Sequence, residues 1–433
     1  MPAPVPPPVD PPPTPRFNPL TALGPGLVTG AADDDPSGIA TYSQAGAGFG
    51  YQMLWTVVLT YPFLAVFQLT CAQIARVTGR GIAANMNHSF PRAIVIGVVV
   101  LLLIANTLNI AADVAVMGEA AALVTGLDRY LLTIALAALS LALQVFVPYH
   151  VYVGYLKWLT LVLFAYVGVV MMVAVPWAEV ARALVWPRFA PTAAAATMIV
   201  AVFGTTISPY LFFWQSAEEL EEMGVRHARP LRRDRKAAPA ELRRLRIDSW
   251  GGMAITHLVS LCIMISTAAT LHVNGITRIE SAAQAALALR PIAGDFAYQL
   301  FAIGIIGTGL LAVPVLAGSA AYALSEALGW RAGLELKPRQ ARGFYGVITL
   351  AVTAAVLLDF SGINPIMALF WSAVVNGVVA VPVMAVIMLL AGRRRVMGDF
   401  AVHHWQRRFG WGATGLMALA ALVMARALLT GTG

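Results

Sequence analysis

Apolar residues in this chain come in long unbroken runs separated by short polar stretches. They follow neither the three-to-four-residue spacing of a surface helix nor the alternation of a half-buried strand. Eleven runs approach or exceed the roughly 20 residues that a helix needs to cross a bilayer. They cover 20–47, 52–75, 93–124, 130–147, 153–176, 193–222, 248–272, 295–327, 343–358, 364–391 and 409–430. The pattern predicts an all-α membrane protein of eleven transmembrane helices forming one domain over 20–430. Residues 1–19 carry proline at nearly every second position and read as a disordered tail. They lack the basic start, short apolar stretch and cleavage site of a signal peptide.

Composition sharpens this picture. The 433 residues are 59% hydrophobic and 12% charged, with a mean hydropathy of +0.75, far greasier than a soluble core requires. Cys71 and Cys262 both fall in apolar runs, so the sequence suggests neither a disulfide framework nor a thiolate metal cluster. The net charge of +8 invites a nucleic-acid reading. The basic residues nevertheless sit between apolar runs and are not interleaved with exposed aromatics, which argues against that partner. Placing the N-terminus inside puts 23 of the 29 basic residues on one side, and such an excess marks the cytoplasmic face. The expectation is therefore a multi-pass protein of the cell (inner) membrane with its N-terminus cytoplasmic and its C-terminus outside. Trp55, Trp158, Trp177, Trp186 and Trp330 fall near run ends, as an interfacial belt would place them. The basic stretch 224–246 reads as a solvated loop, able to touch anionic headgroups.

Two runs are interrupted. In the first, Asp33-Asp34-Asp35-Pro36-Ser37-Gly38 sets three carboxylates before a helix breaker, and in the sixth, Gly204-Thr205-Thr206-Ile207-Ser208-Pro209-Tyr210 repeats the break without acids. An ionised carboxylate at membrane depth costs about 2.5–3.5 kcal/mol even on the mildest scale, which makes it a functional-site candidate. Runs one and six correspond if runs one to five and six to ten are two copies of one unit. Because five is odd, the copies must be inverted, giving repeat one at 20–176, repeat two at 193–391 and an extra helix at 409–430. Paired broken helices in inverted repeats point to a midplane binding site. The plainer alternative, that Pro36 and Pro209 are simple kinks, leaves the three aspartates unexplained.

Asp35, immediately before the break at Pro36, is the first candidate metal ligand. Ser208 is the second, with the carbonyl of Thr205 or Thr206 that Pro209 leaves without a donor. The hydroxyls of Thr205 and Thr206 are equally able to bond back to their own helix. Asp33 and Asp34 either help to neutralise the cation or face a watery vestibule. Gln215, Glu218 and Glu219 line an inner vestibule or form a solvated helix end, and His257 and His272 read as packing residues. Asn376 is an amide within an apolar run, suited to interhelical bonding.

Gly24-Pro25-Gly26, Asp35-Pro36-Ser37-Gly38, Gly50-Tyr51 and the stretch Gly204 to Ser216 resemble the first and sixth helices of the Nramp divalent-metal transporters. The resemblance implies a 5+5 inverted-repeat fold of the amino-acid/sodium symporter (LeuT) type. It also implies transport of a divalent metal cation by alternating access, the ion lying between the two breaks. The departures matter as much. The family's asparagine falls on Gly38, its methionine on Ser208 and its histidine on Tyr210. A set of oxygens without a thioether suits hard cations such as Mn²⁺ or Mg²⁺, and the two smaller side chains leave room for a partly hydrated ion. The pattern is similar to the Nramp-related subgroup associated with Mg²⁺. Asp113 lacks the acid that follows one turn on in the family, which puts proton coupling in doubt.

The site set read from the sequence is thus Asp35, Ser208, Thr205 and Gly38 for the metal, with Asp34, Tyr210, Asn376, Asp113 and Gln215 as secondary polar candidates. The alternatives are an ordinary proton-coupled Mn²⁺/Fe²⁺ symporter, a sodium-coupled small-solute symporter, a channel, and a membrane-embedded Mg²⁺-dependent prenyl-transfer enzyme. The enzyme would need a second Asp-rich motif, and an anionic solute would be repelled by the aspartates. The expected partners are divalent cations and the bilayer, with no nucleic acid, no obligatory protein and no cofactor beyond the metal as cargo.

Overall fold

The structure is a computed structural model and describes residues 29–30, 32–147, 159–187 and 192–430. Every regular element among them is helical. We number the longer helices α1 (Pro36–Phe49), α2 (Leu54–Thr78), α3 (Arg92–Thr125), α4 (Arg129–Phe146), α5 (Phe164–Met172) and α6 (Ala193–Thr206). They continue as α7 (Pro209–Val225), α8 (Ala238–Thr267), α9 (Ala297–Leu328), α10 (Arg342–Asp359), α11 (Pro365–Gly392) and α12 (His404–Thr430). Most ends lie within a few residues of the apolar runs, because nothing but the change from apolar to polar sequence sets them.

The count of eleven does not carry over directly. Among the described residues nine helical stretches are long and apolar enough to cross a membrane. One reason is that only the short 3₁₀ turn Gly50–Met53 separates α1 from α2, so Pro36–Thr78 counts as one stretch although Gly50 (φ 58°) ends α1 there. The other is that the fifth run is represented by a short apolar helix at Leu161–Met172, its first part lying outside the described residues. Residues 1–28, and with them the tail and Gly24-Pro25-Gly26, also lie outside them.

The broken helix is the centre of the molecule. The most apolar 18 residues of the run Ala193–Val225, which contains α6 and α7, are 94% buried, whereas those of α4 and α12 are only 22% buried and turn broad apolar faces outward. Helix α1 packs against α8, α11 and α6, while α3 lies along α9 and α11. Glycine sets the closest of these contacts. A Cβ on Gly204 would fall 2.1 Å from the Ala373 carbonyl and 2.3 Å from the Gly377 nitrogen, and one on Gly377 would meet the Val200 carbonyl at 2.7 Å. Small residues let helix backbones approach where apolar lipid gives no hydrophobic drive. They fix α6, and hence the second break, against α11.

The stretch 224–246 departs from its expectation as a solvated loop. Its last part is the first two turns of α8, which begins at Ala238 rather than 248. The remainder is fastened down: the Leu231 and Arg232 amides donate to the Arg76 and Val77 carbonyls, Arg232 donates to the Val396 carbonyl, and Arg235 pairs with Asp399 at 2.8 Å. Glu219 is likewise no solvated helix end. It is wholly buried and ion-paired with Arg244, and Arg76 lies 3.9 Å away. Arg76 also reaches Glu241 at 3.1 Å, and Arg244 reaches Glu222 at 2.9 Å. This network ties α2, α7 and α8 together at one end of the bundle.

Cys71 and Cys262 are buried free thiols. His257 and His272 bond the Met253 and Ala47 carbonyls at 2.8 and 2.7 Å, in keeping with packing roles. Trp177, Trp186 and Trp330 are exposed near helix ends, and Trp158 lies outside the described residues.

Candidate metal centre

Both breaks follow from proline chemistry, and each is closed by a side chain. A proline inside a helix has no N–H for the carbonyl four residues earlier. For Pro36 that carbonyl belongs to Ala32, and the Tyr210 hydroxyl donates to it at 3.1 Å. For Pro209 it belongs to Thr205, and the Ser208 hydroxyl donates to it at 2.9 Å while also reaching the Gly204 carbonyl at 2.7 Å. Each proline then opens a new helix at its first position, where a missing N–H costs nothing. The chain accordingly unwinds at Asp34–Asp35 and at Ile207–Ser208.

Asp35 caps α1. One carboxylate oxygen accepts from the Gly38 amide at 2.6 Å, and the other accepts from the Tyr210 hydroxyl at 3.3 Å. Tyr210 thus spans the two breaks, holding the Ala32 carbonyl of the first and the Asp35 carboxylate with one hydroxyl. Gly38 serves through its backbone. A Cβ there would lie 3.1 Å from the Asp33 carbonyl, so the space expected from the missing asparagine is partly taken by main chain. The Thr205 carbonyl is not bare either, since it accepts from Ser208. The Thr206 hydroxyl donates to Val202 at 2.7 Å and lies 2.8 Å from the Tyr42 hydroxyl, the back-bonded option for that residue.

The secondary candidates divide. Asp113, from α3, faces the start of α1, where it interacts with Asp35, yet neither of its oxygens makes a hydrogen bond of proper geometry. Asp34 turns toward α8 and accepts from Thr256 at 2.7 Å. Asp33 lies within electrostatic reach of Asp34, Asp35, Tyr42 and Tyr210. Asn376 bonds Asn109 of α3 at 3.3 Å, the interhelical role. Gln215 accepts from Thr29 at 2.8 Å, stitching the segment before the first break to α7 instead of lining a vestibule.

Three contributors escaped the sequence reading: Ser37, Ser372 and Thr256. Ser37 donates to the Leu369 carbonyl at 3.1 Å and lies 3.4 Å from Ser372 of α11. Ser37 adjoins Pro36, and Ser372 stands one turn before Asn376, the local signal that could have flagged them.

Asp33, Asp34, Asp35, Asp113, Ser208 and Tyr210 are each no more than 6% exposed. Among the described residues, none of the four aspartates makes an ion pair with lysine or arginine. No three histidine, cysteine, aspartate or glutamate side chains there are grouped to hold an ion by themselves. What the breaks bring together is a mixed oxygen set of carboxylate, hydroxyl and main-chain carbonyl, the chemistry of hard cations.

The sequence profile of the natural resistance-associated macrophage protein-like (Nramp) family matches residues 26–426. The chain belongs to the Nramp family. Its relatives include the divalent metal cation transporters MntH of Klebsiella pneumoniae, 27% identical over 92% of both chains, and of Acidiphilium cryptum, 27% identical over 89% of this chain and 85% of that one. Among solved structures it is similar to the Eremococcus coleocola manganese transporter, with a TM-score of 0.74 at 18% identity over 94% of this chain and 86% of that one. It is also similar to Mhp1, a nucleobase-cation-symport-1 family transporter, with a TM-score of 0.56 at 16% identity over 94% and 93% of the two chains. The all-α fold is therefore the one shared by Nramp transporters and Mhp1. An Nramp protein of this fold is a multi-pass membrane transporter.

Proposed function

We propose that this Nramp protein carries a divalent metal cation across the inner membrane by alternating access. The ion is held between the first break and the second by Asp35, with Ser208 and the carbonyls around Thr205 and Gly38 supplying further oxygens. The observation that carries this reading is the junction at Tyr210, where the two proline breaks meet around a buried aspartate with no basic residue paired to it among the described residues. A buried carboxylate must be neutralised by a proton or a cation, and here the cargo supplies the charge. Manganese transport by structural relatives and divalent-cation transport by MntH relatives support the same cargo class.

The absence of sulfur from the proposed ligand set favours hard cations, Mn²⁺ and Mg²⁺, over softer metals. We infer N-inside, C-outside orientation from the basic residues, and two inverted repeats at 20–176 and 193–391 followed by an extra helix. An inside-negative potential contributes about 2.3 kcal/mol per charge per 100 mV, doubled for a divalent ion, enough to drive uptake without a second ion. A second reading, in which a proton accompanies the metal, rests on Asp113, a buried carboxyl near Asp35 that would accept one.

Flux into proteoliposomes, with Mg²⁺- and Mn²⁺-sensitive dyes and internal pH followed together, separates these readings. Uptake of both ions without acidification supports the uncoupled hard-cation carrier. Uptake of Mn²⁺ alone with acidification overturns it in favour of the proton-coupled reading. No metal flux under either condition overturns metal transport itself.

A further inference from the structure

Away from the broken helices, a groove of about 750 Å³ opens where the start of α12 crosses α2. Its rim carries His403, His404 and Arg408, and its floor is Phe63, Phe409 and Gly412. Gln406 fastens the turn beneath it, donating to Thr70 at 2.8 Å and to Gln73 at 3.2 Å. The Phe63 and Phe409 rings lie 5.1 Å apart and form a continuous aromatic wall. Gly412 leaves the trough open, since a Cβ there would meet nothing within 4 Å.

Charge surrounds this groove unevenly. Arg393, Arg394, Arg395, Arg407 and Arg408 lie within sixteen residues of chain, and the one acid among them, Asp399, is paired with Arg235. Arg393 is engaged with the Ser89 carbonyl and the Phe90 ring. Arg408 is exposed on the rim and makes no ion pair among the described residues. Trp405 and Trp411 stand exposed beside it, as aromatic residues do at the headgroup level, and Leu419, Leu422 and Val423 continue the outward apolar face of α12.

We propose that this groove is a binding site for one anionic phospholipid. The phosphate sits against Arg408 and the two histidines, and the first methylenes of an acyl chain lie over Phe63, Phe409 and Gly412. From Arg408 to Gly412 is one helical turn, about 6 Å deeper into the membrane, which is the step from phosphate to chain. Basic pockets between transmembrane helices select anionic headgroups in this way. A zwitterionic lipid leaves the cationic rim uncompensated, and a free anion leaves the aromatic floor uncovered. The site is independent of what the broken helices carry.

Native mass spectrometry of the purified protein, titrated with phosphatidylglycerol or phosphatidylcholine, tests it. Wild type should retain one phosphatidylglycerol with about tenfold higher affinity than phosphatidylcholine. Arg408→Gln should reduce that preference to near parity. Gly412→Phe, which fills the groove without touching a charge, should weaken the phosphatidylglycerol adduct about tenfold, while Arg394→Gln, an exposed arginine outside the groove, should leave it unchanged. Equal retention of the two lipids by wild type, or wild-type retention by both groove variants, would overturn the proposal. Displacement of the lipid by millimolar inorganic phosphate would make this a free-anion site and overturn it equally.

Discussion

Two buried carboxylate clusters in this protein are neutralised in opposite ways. At one end of the bundle Glu219, Glu222 and Glu241 are interleaved with Arg76, Arg226 and Arg244, so these three carboxylates are balanced from within. At the breaks, Asp33, Asp34, Asp35 and Asp113 are buried beside tyrosine and threonine hydroxyls and main-chain amides, with no arginine paired to them among the described residues. Hydroxyls and amides stabilise a carboxylate but do not cancel its charge. The first cluster is complete without a ligand and holds helices together. The second is electrostatically complete only when a cation or protons arrive, which is what a carrier site requires.

The sharpest way to break this comparison is Asp35→Asn. Asparagine caps a helix as well as aspartate does, so α1 should persist while metal flux falls at least about 100-fold, equivalent to about 2.7 kcal/mol of lost interaction. Flux in proteoliposomes, read beside the thermal inactivation of the same preparation, checks both halves. Next in size, Arg244→Leu removes a partner from three glutamates. Breaking a buried pair costs about 3–5 kcal/mol, so the midpoint of thermal unfolding in detergent should drop sharply, whereas adding Glu219→Leu to the same variant should recover part of the loss.

Tyr210→Phe takes the donor from the Ala32 carbonyl and from Asp35 together. A buried acceptor left unsatisfied costs about 1–3 kcal/mol, so both stability and metal affinity should decline, affinity by about tenfold. The smallest effect belongs to Ser208→Ala. It frees the Thr205 carbonyl and deletes one hydroxyl, and a metal titration should show a loss of affinity below about tenfold, near 1 kcal/mol.

Much of the architecture was legible because bilayer physics writes it locally. Run lengths gave the ends of α3, α9, α10 and α11 to within a few residues, and Pro36 and Pro209 marked both breaks. The separation of α1 from α2 was legible as the gap between the runs ending at 47 and starting at 52, where Gly50 leaves the helical backbone (φ 58°) and a 3₁₀ turn follows. The end of the basic stretch, where Arg244 lies in the first turns of α8, was misread for a physical reason. Charge density favours a solvated loop until a partner is known, and Glu219 and Glu241 are such partners only in three dimensions. At the site, the Ser208 back-bond was readable as a hydroxyl four residues after a carbonyl. The Tyr210 bridge was not, because its partners lie 178 and 175 residues away in sequence. Asp34 was readable as an unusual acid, but its tie to Thr256 across 222 residues was not.

The most direct test is equilibrium binding of Mn²⁺ and Mg²⁺ to the purified protein by titration calorimetry, comparing wild type, Asp35→Asn and Glu219→Gln. The account predicts binding by wild type, a loss of at least about 100-fold in Asp35→Asn, and affinity within about threefold of wild type in Glu219→Gln, a change below about 1 kcal/mol. Wild-type affinity in Asp35→Asn, or loss of binding in Glu219→Gln alone, would contradict it.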